Sequence, residues 1–278
     1  MVEIFDNIKK IYRFSAPMPE LADYIEFLSE SLGEDTARVA GDQGFFVKMF
    51  ASWTPTFWIN LGTSYHLSMG DDCYLIEPDH DILVLRDSIV TRHNQPTDHI
   101  FTVKFFPGGL EAIFGISQTK FINEVVDLRH VLPGWLLQSV RMAMSFDERL
   151  DLIQQFLLEN WLGQSRKDHY IQLVNDSIDL YEAGSMGYNV SEVAERMFIT
   201  SKTINRYFND VVGTSPRKYF SILRARAALT AYVGGKGSFV PDNFGYYDMS
   251  HFYKEMVGFT GRNIAVQQTE TKLCGRQE

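Results

Sequence analysis

The sequence predicts an α+β protein: a β-rich N-terminal barrel or sandwich, a helical connector, and an all-α C-terminal domain with two helix-turn-helix units. Three observations lead to this prediction. The chain has 278 residues, enough for about two domains. Turn formers divide about the first 100 residues into short aromatic and β-branched runs. After Pro107 the apolar residues recur every three or four positions, as they do on one face of a helix.

Charge is divided unequally along the chain, whose net charge is −9. Residues 184–278 hold twelve basic and eight acidic side chains and carry +4, so residues 1–183 carry −13. A basic module attached to an acidic one is typical of proteins that bind a polyanion with one domain. The acidic average therefore does not exclude a nucleic-acid partner.

Cysteine usage and hydropathy exclude several classes of protein. Cys73 and Cys274 are 201 positions apart, so they form neither a disulfide framework nor a Cys-x-x-Cys site, and we expect both to be structural or incidental. The N-terminus lacks the apolar core of a signal peptide, and no apolar run approaches the roughly 18 residues that a membrane span needs. We expect a cytoplasmic protein without a membrane partner.

The β-rich domain is predicted to cover residues 1–135. Turn signals bound short runs of strand-forming residues, which predict strands at 44–50, 57–61, 81–85 and 100–106. An early helix is predicted at 20–32, because Leu21, Tyr24, Ile25 and Leu28 follow helical spacing.

Helical stripes define a connector over residues 136–165, which is also a candidate dimerisation segment. One stripe holds Leu136, Val140 and Met144, and a second runs over 150–161. The C-terminal domain is predicted to cover 166–265, beginning with a helix at 168–183 beyond a boundary near 163–167. A flexible tail is predicted at 266–278.

From Asn189 onward the sequence predicts two short helices joined by a tight turn. Asn189 and Glu192 have the spacing of a capping box, and Thr200 can cap the second helix. The small side chain of Ala194 lets the two helices cross closely. This pattern predicts a helix-turn-helix, whose second helix enters the major groove of DNA.

The outward face of this second helix carries side chains that can read DNA. Lysine and arginine bind guanine, asparagine binds adenine, and hydroxyl groups bind phosphates or either base. These residues are Ser201, Lys202, Thr203, Asn205 and Arg206. As an alternative, Arg206 could pair with Asp210 one helical turn further on.

A linking helix is predicted at 217–233, after a glycine and a proline (Gly213 and Pro216) that end one helix and start the next. Its outward basic side chains are candidate phosphate contacts, or else an ordinary solvated face. They are Arg217, Lys218 and Arg224, with Arg226 also predicted to face outward.

Several motifs in a fixed order extend this pattern. They are Val193-Ala194, Asn205-Arg206-Tyr207-Phe208 with Gly213-Thr214-Ser215-Pro216, and Gly245-Tyr246-Tyr247-Asp248-Met249-Ser250-His251-Phe252. Through them, residues 168–265 resemble the DNA-binding domain of the AraC/XylS family of transcription regulators. The second unit departs from the family pattern at Val240-Pro241 and at Gly258-Phe259-Thr260-Gly261.

The resemblance implies that two recognition helices enter successive major-groove turns on one face of double-stranded DNA. It implies DNA-facing roles for Lys202, Asn205 and Arg206 in the first unit and for Met249, Ser250, His251 and Lys254 in the second. It also implies promoter activation through contact with RNA polymerase.

Residues 53–132, through the runs at 57–62 and 103–110, resemble the cupin-like sensory domain that precedes some AraC-type DNA-binding domains. This resemblance implies a β-rich domain that binds a small effector or mediates homodimerisation. Aromatic side chains that could line the effector pocket, or simply form the core, are Trp53, Phe57, Trp58, Tyr65, Phe105 and Phe106.

Four histidines, at His66, His80, His93 and His99, keep a second class of protein open: a cupin-type metal-dependent enzyme. Their spacing contains no compact His-x-His pattern, so we expect no metal, no other cofactor and no catalysis. A third alternative is a regulator that acts through protein contacts and whose second helix-turn-helix is degenerate. The sequence is best interpreted as an effector-responsive, sequence-specific DNA-binding transcription regulator.

Overall fold

The computed structural model of the chain describes residues 11–31, 33–40, 45–164, 169–234 and 239–261. It confirms the α+β class, with antiparallel sheets followed by helices. The predicted tail at 266–278, most of the predicted boundary at 163–167 and Cys274 lie outside the described residues. None of the described helices combines the length and apolar character that crossing a membrane requires.

Strands in the described part of the N-terminal region form two antiparallel sheets. Their bounds are β1 Tyr12–Ser15, β2 Ile25–Ser31, β3 Phe45–Met49, β4 Pro55–Asn60, β5 Tyr65–Met69, β6 Asp72–Ile76, β7 Ile82–Leu85, β8 Val90–Asn94, β9 Ile100–Phe105 and β10 Val125–Asp127. One sheet has the order β1-β2-β9-β4-β7-β10, and the other has the order β3-β8-β5-β6. A short helix, α1 (Gly33–Ala40), lies between β2 and β3.

The prediction of a helix at 20–32 is wrong. Pro19–Leu21 forms one 3₁₀ turn, residues 22–24 continue as a turn, and Ile25–Ser31 is strand β2, which pairs with β1 and β9. The register of β2 shifts between Ile25 and Phe27. Such a bulge interrupts the two-residue alternation of a strand, so the buried side chains fell at spacings that resemble a helix.

Two hydrophobic cores hold four of the aromatic residues that the sequence predicted as candidate effector contacts. Phe57 and Phe105, whose rings lie 4.7 Å apart, are buried where the larger sheet packs against helices. Trp58 and Tyr65 are buried in a second core formed by residues of both sheets. Close packing of this kind makes these four side chains part of the structural framework.

Helix α2 (Gly109–Phe114) lies between β9 and β10, and two helices follow β10: α3 (Gly134–Met142) and α4 (Phe146–Gly163). The predicted connector stripes lie on α3 and α4, where Leu136, Val140 and Leu157 pack against the larger sheet. Met144 belongs to the predicted stripe but lies between the helices and is 89% exposed. The connector therefore packs on the β-rich domain along most of its length.

A buried ion cluster joins the connector to this sheet. Glu30 on β2 is 1% exposed, and its carboxylate accepts hydrogen bonds from Arg149 Nη1 on α4 at 3.1 and 3.2 Å. His99 Nε2 lies 2.8 Å from the same carboxylate. Arg149 also donates to the backbone carbonyls of Val140 and Ala143. Each charged group in the cluster thus has a hydrogen-bond partner.

The C-terminal helices are α5 (His169–Ala183), α6 (Val190–Arg196), α7 (Ser201–Val211), α8 (Pro216–Gly234) and α9 (Met249–Thr260), with a 3₁₀ helix at Pro241–Phe244. Phe220 on α8 stacks on Tyr181 at 4.2 Å and meets Phe208 edge-on at 5.4 Å. Ala194 is buried where α6 and α7 cross, as the sequence predicted. A single core therefore holds α5 to α8 together.

Candidate nucleic-acid interface

The two helix-turn-helix units repeat the same local architecture. The second helix of each unit, α7 or α9, corresponds to the predicted recognition helix and keeps that name. It begins at a side-chain cap: Thr200 accepts from Thr203 N–H, and Asp248 accepts from His251 N–H. Each ends at a glycine with positive φ, which is 90° at Gly213 and 68° at Gly261. A left-handed residue at this position is the usual signal that ends a helix.

The same positions are buried and exposed in both units. The fourth and eighth residues after each cap are fully buried: Ile204 and Phe208 in α7, Phe252 and Met256 in α9. The sixth residue after each cap is basic and exposed, Arg206 in α7 and Lys254 in α9. Each recognition helix therefore buries one face and presents a cation on the other.

In the first unit, the structure exposes most of the residues predicted to read DNA. Ser201, Lys202, Asn205 and Arg206 are exposed, whereas Thr203 is half-buried. Asn205 Nδ2 donates to the Ser201 carbonyl at 2.7 Å, and Arg206 lies over the ring of Tyr207 at 4.7 Å. No ion pair joins Arg206 to Asp210 among the described residues. Lys202 and Arg206 thus lie close together on an open helix face.

In the second unit, Ser250, His251 and Lys254 are exposed, and Met249 packs against the neighbouring core. The His251 ring has local partners: its Nδ1 accepts from Tyr247 N–H at 3.3 Å, and its Nε2 lies 3.9 Å from Glu255. Ser250 and Lys254 are therefore the more accessible candidates on α9.

The basic residues of α8 have three different environments. Arg217 is exposed, whereas Lys218 lies over the Trp53 ring of the β-rich domain at 4.9 Å. Arg224 Nη2 donates to both carboxylate oxygens of Glu255 on α9, at 2.8 and 3.0 Å. Arg224 therefore ties the second unit to the linking helix, and its predicted phosphate contact remains a prediction.

The departure of the second unit from the family pattern has a structural counterpart. Its first helix is a 3₁₀ helix of four residues that begins at Pro241, where a missing N–H leaves no intrahelical bond unmade. Gly245, with φ 68°, ends it, and Tyr246 N–H bonds back to the Pro241 carbonyl at 3.2 Å. The element is short, but its termini are satisfied.

The β-rich domain contacts both units. Gln118, fully buried, accepts from Gly108 N–H at 3.1 Å and donates to the carbonyls of Trp53 at 2.9 Å and Val212 at 3.0 Å. A Cβ atom at Gly108 would lie 2.9 Å from Val211 on α7. Near the second unit, the Phe50 ring lies 5.1 Å from that of Phe259 on α9. The arrangement of both recognition helices is thus coupled to the β-rich domain.

A cavity of about 440 Å³ lies between the β-rich domain and helices α5 and α8. Lys104 and Glu26, 3.0 Å apart, line it together with Arg226, which is 5% exposed. The outward orientation predicted for Arg226 is therefore wrong, because the β-rich domain covers that face of α8. The guanidinium of Arg226 has no hydrogen bond or ion pair with any described residue.

The mouth of this cavity is acidic. Asp23, Asp179 and Glu182 line it and are exposed. Partial burial and neighbouring carboxylates raise the pKa of Asp179 and of Glu182 above their ordinary values. The cavity therefore combines an anionic mouth with an interior in which two cations, Lys104 and Arg226, outnumber the single carboxylate of Glu26.

Five of the six aromatic residues predicted as candidate effector contacts lie outside this cavity, and the sixth, Phe106, lines it. Trp53 packs against the core of the first unit, beside Gly213. Trp58 lines a smaller cavity of about 40 Å³ inside the β-rich domain. Sequence spacing could identify aromatic residues but not which of them reach the domain boundary.

The histidines considered for a metal site are scattered. The rings of His66 and His93 lie 6.4 Å apart, whereas His80 is near Asp127 and His99 bonds to Glu30. No group of three or more histidine, cysteine, aspartate or glutamate side chains in the described part of the chain could hold a metal ion.

The buried positions of Gln118 and Arg226 were not predicted from the sequence. A single glutamine in a polar stretch of sequence does not indicate that its side chain makes three buried hydrogen bonds. The helical periodicity of α8 places Arg226 beside its buried residues, but the arginine side chain favoured a surface prediction.

Two antiparallel sheets, a connector and two helix-turn-helix units on one linking helix follow one another along the chain. This is the architecture that the AraC/XylS resemblance implied. The chain is similar to ToxT from Vibrio cholerae, with a TM-score of 0.47 and 9% identity over 91% of this chain and 96% of that one.

Two further solved structures are similar. One is the AraC-like transcriptional activator CuxR, with a TM-score of 0.32 and 10% identity over 82% of this chain and 89% of that one. The other is a cupin domain of an XRE family transcriptional regulator from Enterobacter cloacae, with a TM-score of 0.26 and 10% identity over 35% of this chain and 98% of that domain. No protein-family model matches the sequence, and no curated protein is detectably similar to it.

Proposed function

We propose that this protein is a sequence-specific DNA-binding transcription regulator that reads double-stranded DNA with α7 and α9. The repetition of one surface pattern carries the proposal: two capped helices, each with a buried face and an exposed cation six residues after its cap. Lysine and arginine contacts to phosphates set register and supply salt-dependent affinity, whereas base-edge contacts supply specificity. The proposal includes the contact with RNA polymerase and the pairing of two chains that the resemblance implies.

Replacing Lys202 or Arg206 by alanine should weaken binding of the full chain to its preferred site. Each lost contact should weaken binding about 5- to 150-fold, as expected for about 1–3 kcal/mol per base contact. A variant that loses a phosphate contact should also show a salt slope shallower by about 1. The site is first selected from random DNA at fixed salt, and affinities are then measured by fluorescence anisotropy.

Arg13→Ala is the matched control, because Arg13 is exposed on β1 in the β-rich domain. It should bind like the unmodified chain. Sequence-independent binding, or equal affinities for Lys202→Ala, Arg206→Ala and the control, would contradict the proposal and favour a regulator that acts through protein contacts.

The cavity between the domains is the effector site in this proposal. Its size suits a small molecule, and it is bounded by the β-rich domain, by α5 and by the linking helix. A ligand there contacts elements that position both recognition helices, so it can shift the population between DNA-binding and non-binding arrangements. The buried Arg226 selects a ligand with an anionic group.

Arg226→Ala should weaken binding of a carboxylate probe at least about tenfold, because a charge-assisted hydrogen bond contributes about 1.5–3 kcal/mol. Oleate is a suitable probe, since one ToxT structure contains an unsaturated fatty acid and Ile222 and Leu223 supply apolar walls here. Calorimetry gives the affinity, and Arg217→Ala, at an exposed arginine of the same helix, is the control. Equal oleate affinity in both variants, or no binding to the unmodified chain, would refute this ligand class.

A further inference from the structure

Phe198 occupies the turn between α6 and α7 in a conformation that disfavours its own side chain. Its φ is +56°, in the left-handed region, where a Cβ atom is strained and glycine is preferred. Its side chain is 96% exposed. Phe198 is therefore a large apolar residue at a position where the backbone conformation favours glycine and where its ring gains no burial.

The second unit shows what the same turn looks like without this strain. In both units the residue after the left-handed one donates back to the first helix: Ile199 N–H to the Ala194 carbonyl at 2.9 Å, and Tyr246 N–H to the Pro241 carbonyl at 3.2 Å. The left-handed residue is Phe198 in the first unit and Gly245 in the second. The chain thus uses glycine for this turn in one unit and phenylalanine in the other.

Contacts within the described part of the chain do not account for the phenylalanine. Phe198 belongs to none of the hydrophobic cores there, and no other aromatic ring pairs with it. Beyond its half-buried neighbour Ile199 lie the cap Thr200 and the exposed Ser201 and Lys202. The ring is therefore presented to solvent at the amino end of the recognition helix.

An exposed aromatic ring precedes both recognition helices. Tyr247, 91% exposed, lies directly before the cap of α9, as Phe198 lies two residues before the cap of α7. The amino-terminal residues of a recognition helix are the ones that meet base edges in the major groove. Two rings at this place are therefore next to the surface that DNA would cover.

We propose that Phe198 is a specificity-determining residue that packs on the C5-methyl group of a thymine in the site read by α7. The inference rests on the proposed function. Phenylalanine is one of the side chains that recognise this methyl group, the apolar feature that marks thymine in the major groove. Contact with the methyl group removes the ring from water and offsets the strain at Phe198.

The test compares the full chain with Phe198→Gly and Phe198→Leu on the selected DNA site. Each thymine in the site is replaced in turn by deoxyuridine, which removes only the methyl group. One replacement should weaken binding by the unmodified chain about fourfold, as expected for the loss of one buried methyl group. Phe198→Gly should bind thymine DNA about fourfold more weakly and be insensitive to that replacement, whereas Phe198→Leu should retain part of the discrimination.

Thermal unfolding separates a lost contact from lost folding. Because glycine relieves the left-handed strain, Phe198→Gly should raise Tm by about 2–4 °C while it weakens DNA binding. A variant that binds weakly because it is unfolded would instead show a lower Tm.

Three outcomes would overturn the inference. If Lys202→Ala and Arg206→Ala weaken binding but Phe198→Gly binds and discriminates as the unmodified chain does, this inference fails and the proposed function stands. If none of the three variants changes binding, both fail. If Phe198→Gly keeps its DNA affinity but loses activity in transcription with purified RNA polymerase, the ring contacts protein and not thymine.

Discussion

Replacing Gln118 by alanine should lower the free energy of unfolding by about 3–5 kcal/mol, since each buried polar group left without a partner costs about 1–3 kcal/mol. The amide of Gln118 satisfies three backbone groups on separate segments: Gly108 N–H and the carbonyls of Trp53 and Val212. Alanine would leave all three buried and unpaired. Val212 directly follows α7, so the loss should also loosen the contact between the β-rich domain and the first unit.

Urea unfolding followed by circular dichroism measures this effect. Gln155→Ala is the control, because Gln155 is an exposed glutamine whose amide donates to Glu159 one turn away. It should change the free energy of unfolding by no more than about 0.5 kcal/mol. Equal effects of the two substitutions would show that water replaces the three hydrogen bonds and that Gln118 does not hold the domains together.

Replacing Glu30 by alanine should lower the free energy of unfolding by about 3–5 kcal/mol, the usual effect of removing one partner from a buried ion pair. Arg149 would remain buried in α4 with two backbone carbonyls as partners and no counter-charge. His99 would lose its carboxylate partner as well. The connector helix should therefore separate from the sheet more readily.

The double variant Glu30→Ala with Arg149→Met distinguishes a buried charge from a lost contact. If the unpaired arginine causes the instability, the double variant should be more stable than Glu30→Ala alone. Glu159→Ala is the control, because Glu159 is an exposed glutamate on α4, the helix that holds Arg149. Additive effects of the two substitutions, or a loss no larger than that of the control, would contradict the prediction. The free energies of unfolding of these variants are measured by urea unfolding.

Much of the helix-turn-helix domain could be predicted because its signals are local. The Asn189 and Glu192 capping box forms as the spacing predicted, with both reciprocal hydrogen bonds present. Gly213 has the positive φ that ends α7. Capping depends on residues within one helical turn, so the sequence contains all the information needed.

The strand at β2 could not be predicted in the same way. Its partners are β1 and β9, and β9 lies more than 70 residues further along the chain. Pairing across such a separation decides whether Ile25 and Leu28 lie on a helix or a strand, and local spacing does not report it. A bulge next to Ile25 then made the local pattern misleading.

The sequence by itself determined that strands precede helices along the chain, and it determined the capped helix α7 with the basic residues that it exposes, because helix spacing and capping act over a few residues. Only the tertiary structure decided which charged and polar groups face inward. Arg226 lines a cavity, Arg224 pairs with Glu255, and Gln118 joins the domains because segments distant in sequence cover them. The strain at Phe198 likewise became visible only in three dimensions, since backbone dihedral angles depend on the turn and not on the residue alone.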